Sequence, residues 1–262
     1  MRPVPGPDRA FRASARARGD RGRGRRRQRR RLAESTKHPA GPEGDSGPVF
    51  LCRLGAVRTP ILDLVRPAFH RLCRAYFGLK LAGVEHIPES GPLIVTPNHQ
   101  TYADPALVTI PIRRRVYYMA WSRLFEIPVF SWAIRRLRAF PVQVESTDSS
   151  ATREAVRLLR AGHVLMIFPE GERTHTGSVE RFKLGAFRLA ASLRVPVLPV
   201  TIAGGHESWP PGQVLPRRGR ITITYHPPLE PDTSLESHQA ARVLAERARG
   251  VIAGTPGAAP AR

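Results

Sequence analysis

One stretch decides how this chain of 262 residues folds: Leu93-Ile94-Val95-Thr96-Pro97-Asn98-His99-Gln100-Thr101-Tyr102-Ala103-Asp104-Pro105. The apolar run Leu93–Thr96 predicts a strand. His99 and Asp104 are five residues apart and would not share a face of a helix, so they are predicted to lie in a loop. Pro105 disfavours helical geometry at the residue before it and suits the first position of a helix, which predicts that Asp104 caps a new helix. Such a loop can bring His99 back toward the Asp104 carboxylate.

Short apolar runs and helical patterns alternate through the rest of the chain after Gly83. Further strands are predicted at Val116–Trp121, Ala139–Val142, Val164–Phe168, Val197–Ile202 and Ile221–Tyr225. Helices are predicted at Pro105–Ile110, Leu124–Leu137, Ser149–Ala161, Lys183–Leu193 and Ser234–Ile252. This alternation predicts an α/β fold in which a mostly parallel or mixed sheet is flanked by helices.

An amphipathic helix is predicted ahead of this alternation, within a segment spanning residues 50–83. Apolar side chains recur there at three- and four-residue spacing, with arginines between them, and the pattern ends near Gly78. Pro67 is expected to kink or divide the helix. Such a helix either packs on a domain or lies in a membrane interface, and both interpretations stay open.

The ends of the chain differ in composition from residues 84–252, which are predicted to form the main domain. Residues 1–49 are rich in Arg, Gly and Pro, and residues 253–262 in Gly, Pro and Ala, which predicts a disordered arm and a disordered tail. Residues 1–36 hold 13 Arg against three acidic side chains, which is +10 of the formal net charge of +21. The arm is either a solvated tail or a binder of nucleic acid or anionic lipid.

Several classes of protein are disfavoured by composition. The two cysteines, Cys52 and Cys73, are too few for a disulfide scaffold or a four-ligand zinc site, so a reducing compartment is expected. The sequence has no run of 18 apolar residues, so no membrane-spanning helix is predicted. The first 30 residues also lack the apolar core of a secretory signal. We therefore expect a cytosol-facing soluble or peripheral protein.

His99 and Asp104 are the first candidates for chemistry. Ligands of open parallel sheets collect at the carboxyl ends of strands, and both residues follow a predicted strand. A His paired with a carboxylate acts as a general base, and the carboxylate fixes its tautomer and stabilises the imidazolium. In the alternative interpretation, Asp104 is only a helix cap and His99 only a loop residue.

A second polar segment, Phe168-Pro169-Glu170-Gly171-Glu172-Arg173-Thr174, follows the predicted strand Val164–Phe168. Arg173 and Lys183 around a glycine-containing loop, near a helix N-terminus, are typical of a phosphate site. Glu170 is a candidate to orient Arg173 or to bond an acceptor hydroxyl. The alternative is an ordinary polar loop with a surface ion pair.

Taken together, these segments resemble the lysophospholipid acyltransferase family, which contains the 1-acylglycerol-3-phosphate acyltransferases. The family's first block, a His and an Asp separated by four residues, matches His99 and Asp104. Its third block, Phe-Pro-Glu-Gly-any-Arg, matches residues 168–173, and Lys183 fits the downstream Phe-Lys-any-Gly. An apolar strand around a proline, the fourth block, is similar to residues 195–200. The resemblance covers roughly residues 60 to 225.

The family's second block is where this sequence departs. That block runs through a Gly and an apolar strand to Asp-Arg, and its Arg is linked to binding the acceptor phosphate. Here Arg138 takes the Gly position, and Gln143 and Val144 take the Asp-Arg positions. The departure leaves the acyl-transfer residues intact and opens the question of the acceptor.

The resemblance implies that a fatty acyl group moves from acyl-CoA or acyl carrier protein to a lysophospholipid, with 1-acylglycerol-3-phosphate as the first expectation. It implies His99 and Asp104 as catalytic residues and Glu170, Gly171, Arg173 and Lys183 as substrate-binding residues, with no metal and no cofactor besides the thioester co-substrate. Backbone N–H groups near Gly171 are candidates to stabilise the oxyanion. The expected location is the cytoplasmic face of the cell membrane, as a peripheral protein on an anionic surface.

Two alternatives accompany this expectation. The altered second block favours a different lipid acceptor, such as a lyso-amino-acid lipid or a glycolipid. The Arg-rich arm favours a nucleic-acid-binding protein, although residues 37–262 contain no nucleic-acid-binding motif that we recognise. Removing residues 1–49 would separate these two classes, because it should end nucleic-acid binding and spare acyl transfer.

Overall fold

A computed structural model describes residues 60–126, 128–136, 138–142 and 149–258. Seven strands form one sheet in the order β1-β7-β6-β2-β5-β3-β4. Strands β6, β2, β5, β3 and β4 are mutually parallel, β7 is antiparallel to β6, and β1 is parallel to β7. The predicted α/β fold with a mixed sheet is therefore confirmed.

The elements follow one another as the alternating pattern predicts. The strands are β1 (Lys80–Ala82), β2 (Leu93–Pro97), β3 (Val116–Trp121), β4 (Ala139–Val142), β5 (Val164–Met166), β6 (Val197–Ala203) and β7 (Thr222–Tyr225). The α-helices are α1 (Pro60–Phe77), α2 (Asp104–Thr109), α3 (Pro128–Arg136), α4 (Ser149–Arg160), α5 (Gly185–Leu193), α6 (Gly205–Ser208) and α7 (Ser237–Ala253). Short 3-10 helices occupy Val84–His86 and Ser122–Phe125.

The core lies on both faces of the sheet. On one face, side chains of α1 and α2 pack against alternate residues of β2, such as Leu93 and Val95. On the other face, α4, α5 and α7 pack against the intervening residues, such as Ile94. Because both faces are covered, strands β2 and β6 are buried along their whole length, which explains their continuous apolar runs.

Some predicted boundaries differ from the structure. The fifth strand ends at Met166, two residues before Phe168, and the α5 helix begins at Gly185 and not at Lys183. The pattern Leu124–Leu137 contains two elements, a 3-10 helix and α3. The apolar spacing of the sequence did not predict strand β1. This strand has three residues, too few for a recognisable pattern, and it is defined by its pairing with β7.

The N-terminal helix α1 packs on the domain through its last turns. Cys73 and Phe77 are buried in the core, and Pro67 lies within the helix without dividing it. No helix within the described ranges combines the length and the apolarity required to cross a bilayer.

The domain boundaries predicted from composition stay predictions. Residues 1–59 and 259–262 lie outside the described residues, and the predicted arm falls among them. The first part of the predicted disordered tail is packed, since Ala253 ends α7 and Ala258 is buried against the core.

Candidate active site

Three neighbouring strands deliver the candidate residues to one edge of the sheet. Strands β6, β2 and β5 are adjacent and parallel, so the segments that follow their carboxyl ends lie side by side. The histidine loop (residues 98–104) follows β2, and the arginine loop (residues 168–174) follows β5. This is the edge at which open α/β sheets bind ligands.

The histidine loop is organised around the Asp104 carboxylate, which is fully buried. His99 Nδ1 lies 2.9 Å from Asp104 Oδ2. The same oxygen accepts the backbone N–H groups of Gln100 at 2.6 Å and Thr101 at 2.8 Å, while the Thr101 hydroxyl donates to Oδ1 at 2.6 Å. With Nδ1 held by the carboxylate, the Nε2 atom is the nitrogen of His99 left for proton transfer. The His99 side chain is 18% exposed, so a substrate can reach it.

The predicted role of Asp104 as a helix cap is wrong. Helix α2 begins at Asp104 itself, Ala103 is the N-cap residue, and Ala103 makes no side-chain capping bond. The Asp104 carboxylate turns back to the preceding loop, because four donors of that loop converge on it. A buried carboxylate needs such donors to offset the loss of water.

Backbone contacts join the two loops. The His99 N–H donates to Glu170 Oε1 at 3.1 Å, and the Thr174 N–H donates to the His99 carbonyl at 2.8 Å. The Phe168 ring stacks on the His99 imidazole, with centroids 4.0 Å apart and planes inclined by 27°. Phe168 thus restrains the orientation of the imidazole from one face.

Glu170 is a buried acid, with 5% of its surface exposed. Burial raises the pKa of its carboxyl to about 8, and the backbone N–H groups of His99 and Glu180 only partly offset this effect. Its Oε2 atom is buried without a hydrogen-bond partner among the described residues. The carboxyl is therefore protonated over much of the physiological range and can then donate a hydrogen bond.

Arg173 lies over the face of Tyr102, with the guanidinium carbon 3.5 Å from the ring centroid. Its Nη1 atom is buried and has no hydrogen-bond partner in the described part of the chain. Tyr102 is 51% exposed and contacts Trp209, at 5.7 Å between ring centroids. The ring holds the guanidinium plane at the open edge of the site, where its donors can bind an anion.

Gly171 allows the arginine loop to turn and allows Lys183 to approach. Its φ of +85° is in the left-handed region, and a Cβ there would collide with the Lys183 side chain. The Lys183 N–H donates to the Pro169 carbonyl at 2.7 Å, and this bond holds the Lys183 backbone beside the arginine loop. The Gly171 N–H donates to the Phe168 carbonyl at 3.1 Å, so it is not available to an oxyanion.

Two amides that tie the histidine loop to β6 and α6 complete the site. Asn98 exchanges two hydrogen bonds with the Ile202 backbone, at 3.0 and 2.7 Å. Gln100 Oε1 accepts the N–H of Gly205 at 2.8 Å, and its Nε2 donates to Gly177 at 3.2 Å. The sequence predicted no role for Gln100, Tyr102 or the stacking of Phe168, since no spacing rule identifies a contact made across loops.

The divergent second block is only partly described. Arg138 has φ of +65°, a left-handed conformation that favours glycine, the residue that the resembled family has at this position. Gln143 and Val144 lie outside the described residues. No group of three or more His, Cys, Asp or Glu that could hold a metal ion occurs among the residues with described positions.

Comparison with known families shows which proteins this part of the chain resembles. Residues 78–203 match the family model described as Acyltransferase. This range contains both loops and strands β1 to β6. Residues 78–203 are thus similar to this family, and the resemblance inferred from the sequence blocks is confirmed.

Among the proteins similar to this chain are 1-acyl-sn-glycerol-3-phosphate acyltransferases. The chain is 27% identical to the chloroplast enzyme of Arabidopsis thaliana over 182 residues, which are 68% of this chain and 49% of that protein. It is 26% identical to the Bacillus subtilis enzyme over 153 residues, or 58% of this chain and 74% of that protein. The chain thus spans about half the length of the plant relative.

A solved structure has the same fold. The crystal structure of the 1-acyl-sn-glycerophosphate acyltransferase PlsC from Thermotoga maritima matches with a TM-score of 0.62 and 27% identity, covering 73% of this chain and 78% of that one. The α/β architecture is therefore that of this enzyme class.

Proposed function

We propose that the protein transfers a fatty acyl group from a thioester, acyl-CoA or acyl carrier protein, to the free hydroxyl of 1-acylglycerol-3-phosphate. The observation that carries the proposal is the contact of 2.9 Å between His99 Nδ1 and a fully buried Asp104, beside a cationic loop at the carboxyl edge of the sheet. The match to an acyltransferase family model supports acyl transfer. The acceptor is supported by the similarity to 1-acyl-sn-glycerol-3-phosphate acyltransferases.

His99 acts as the general base in this proposal. Its Nε2 removes the proton of the acceptor hydroxyl while the oxygen attacks the thioester carbonyl carbon. The new C–O bond forms, the C–S bond breaks, and the proton passes from the imidazolium to the departing thiolate. Asp104 holds the tautomer and stabilises the imidazolium charge during these steps.

The arginine loop supplies the acceptor site. Arg173 presents a guanidinium held on the Tyr102 ring, and exposed Lys183 lies across Gly171 nearby, so two positive charges face one edge. A phosphate monoester pairs well with a guanidinium, because its oxygens accept two parallel N–H bonds. Protonated Glu170 donates a hydrogen bond through Oε2 to an acceptor oxygen.

The location proposed for the protein is the cytoplasmic face of the cell membrane, where it binds peripherally. Its substrates are lipids that reside in a bilayer, and its net charge of +21 favours an anionic surface.

The experiment that tests this proposal measures product formation by mass spectrometry, with acyl-CoA and acyl carrier protein donors against a panel of lyso-lipids. His99→Ala should lower turnover by about 10²- to 10⁴-fold, because the general base is lost. His238→Ala, at an exposed position on α7, is the matched control and should retain full turnover.

Each result of the panel has a defined meaning. Activity of the wild-type protein toward lysophosphatidic acid that His99→Ala abolishes supports the proposal. Activity only toward a lyso-amino-acid lipid or glycolipid overturns the acceptor assignment and keeps acyl transfer. Undiminished turnover of a folded His99→Ala protein contradicts the mechanism.

A further inference from the structure

A proline- and arginine-rich loop between α6 and β7 lies at the same edge of the sheet as the candidate active site. We refer to residues 209–220 as the tryptophan loop. It follows α6, which begins two residues beyond the carboxyl end of β6, and it leads into β7, which runs antiparallel to β6. Both ends of the loop are therefore at the edge where β2 and β5 deliver His99 and Glu170.

The tryptophan loop has a closed base. The Arg217 N–H donates to the Ser208 carbonyl at 2.8 Å, which joins its two ends. The Trp209 indole N–H donates to the Gln213 carbonyl at 2.9 Å. The Tyr76 hydroxyl of α1 donates to the Pro216 carbonyl at 2.8 Å. The residues up to Gln213 and from Pro216 onward, which make these bonds, form the base of the loop. Val214 and Leu215 between them form its tip.

The tip presents two adjacent aliphatic side chains to solvent. Val214 is 86% exposed and Leu215 is 75% exposed. Single exposed aliphatic residues are ordinary on protein surfaces, but two adjacent ones at the tip of a closed loop form a small exposed apolar patch. On the adjoining helix α1, Leu72 is also 64% exposed.

Positive charge surrounds this tip. Arg217, Arg218 and Arg220 are all exposed at the base of the loop, and residues 209–220 include no acidic residue. Exposed Arg71 and Arg74 lie in the last turns of α1, the helix that contacts the loop through Tyr76. The surface therefore has an apolar tip and a cationic base.

We propose that the tryptophan loop docks on an anionic lipid bilayer, with Val214 and Leu215 inserted among the acyl chains and Arg217 and Arg218 at the phosphate layer. The order of the side chains favours a bilayer over an acidic protein. A bilayer offers phosphates at its surface and hydrocarbon beneath, in the same order as the base and the tip.

The loop also connects this surface to the site. Trp209 contacts Tyr102 at 5.7 Å, and Tyr102 stacks under Arg173. Docking at the loop therefore brings Arg173 to the bilayer surface, where the head group of a lipid acceptor lies. This consequence rests on the proposed function, whereas the docking itself does not.

The docking is tested by sedimentation of the full chain with phosphatidylglycerol or phosphatidylcholine vesicles, at low salt and at about 0.5 M salt, where charges are screened. Replacing both tip residues, Val214→Ser with Leu215→Ser, should weaken partitioning into phosphatidylglycerol vesicles about tenfold at both salt concentrations. Replacing Arg217 and Arg218 by Gln should weaken it about tenfold at low salt only.

The matched control replaces two exposed valines outside the loop, Val84→Ser with Val251→Ser. This variant should bind vesicles within about twofold of the wild-type protein, since a surface valine away from the bilayer gains nothing from it. All variants keep residues 1–36, so the charge of that segment is constant across the comparison. Equal vesicle binding by the tip variant and the wild-type protein overturns the proposal.

Activity measurements separate this proposal from the proposed function. The tip variant should lose about tenfold in turnover of vesicle-embedded acceptor and keep its turnover of a short-chain acceptor dissolved below its micelle concentration. Absence of any acyl transfer would count against the proposed function and leave the vesicle result standing. A tip variant that binds vesicles normally but uses acyl carrier protein poorly would indicate a protein contact and overturn the lipid assignment.

Discussion

The two loops of the candidate site differ in how many of their buried polar side-chain atoms are hydrogen-bonded within the protein. In the histidine loop, the buried Asp104 carboxylate receives four hydrogen bonds, and the side chains of Asn98 and Gln100 are bonded to the neighbouring backbone. In the arginine loop, Glu170 Oε2 and Arg173 Nη1 are buried without hydrogen-bond partners among the described residues.

This difference separates two tasks. A general base must be held in one orientation and tautomer, and a fully bonded carboxylate achieves this before any substrate arrives. A binding loop must keep donors and acceptors for its ligand, which leaves buried polar atoms that the protein alone does not satisfy. For Glu170, the cost of burial is expected to appear as pH-dependent stability.

Asp104→Asn is the change that should break this comparison most strongly. An amide cannot accept from the same set of donors in both positions, so the His99 tautomer and the loop are disturbed together. We expect turnover to fall about 10⁴-fold, as when the acid of a His–Asp pair becomes an amide. Steady-state assays with acyl-CoA and the preferred lyso-lipid measure the effect.

Asp232→Asn is the control for that variant, because Asp232 is exposed and bonds only Ser234 among the described partners. It should keep wild-type turnover. A folded Asp104→Asn protein that retains more than a tenth of wild-type turnover would show that the buried carboxylate does not support His99.

Glu170→Gln sharpens the comparison through stability. Burial raises the folded-state pKa of Glu170 from 4.5 to about 8, so the native state holds a proton that the unfolded state has released between those pH values. Wild-type stability therefore falls as pH rises through this window. Relative to the wild type, Glu170→Gln should gain about 4 kcal/mol between pH 4 and pH 9, from the size of the shift. Urea unfolding at several pH values measures this gain.

Glu154→Gln provides the opposite sign. The hydrogen bond from Arg157 lowers the pKa of Glu154 at the surface, so the wild-type protein gains this interaction as pH rises and the variant should lose a little stability relative to it. If the Glu170→Gln difference did not rise with pH, the buried acid of the arginine loop would be ionised in the native state, and its raised pKa would be contradicted.

Tyr102→Leu tests the smallest expected effect, the orientation of Arg173. Loss of the cation–π contact, worth about 1 kcal/mol, should raise the KM for the acceptor about fivefold and leave the KM for the donor unchanged. Tyr102→Phe keeps the ring and should behave as wild type. A fall in kcat with no change in acceptor KM would show that Tyr102 positions His99 and does not contribute to acceptor binding.

The order of elements could be predicted from the sequence, and their ends less well. Strands β3 and β4 have the predicted bounds because their apolar runs end sharply. Helix α5 begins later than predicted. The helical spacing of apolar residues extends back to Lys183, but the Lys183 backbone N–H donates to the Pro169 carbonyl and so belongs to a loop. Asp104 shows the same limit, because a capping residue and a first helical residue have the same sequence signature.

The candidate site was predictable where its residues occur in contiguous blocks. His99, Asp104, Glu170 and Arg173 stand in two short segments, and their positions after strands placed them at one edge of the sheet. Tyr102 and Gln100 were missed because their partners, Arg173 and Gly205, are remote in sequence. Periodicity contains no information about such contacts.

The sequence by itself determined the α/β class, the order of strands along the chain and the two polar segments, because strand burial and turn residues are local properties. Only the tertiary structure decided that β2 lies between β5 and β6, and so that Glu170 reaches the His99 backbone. Those outcomes depend on which segments become neighbours, and that is fixed by packing on both faces of the sheet.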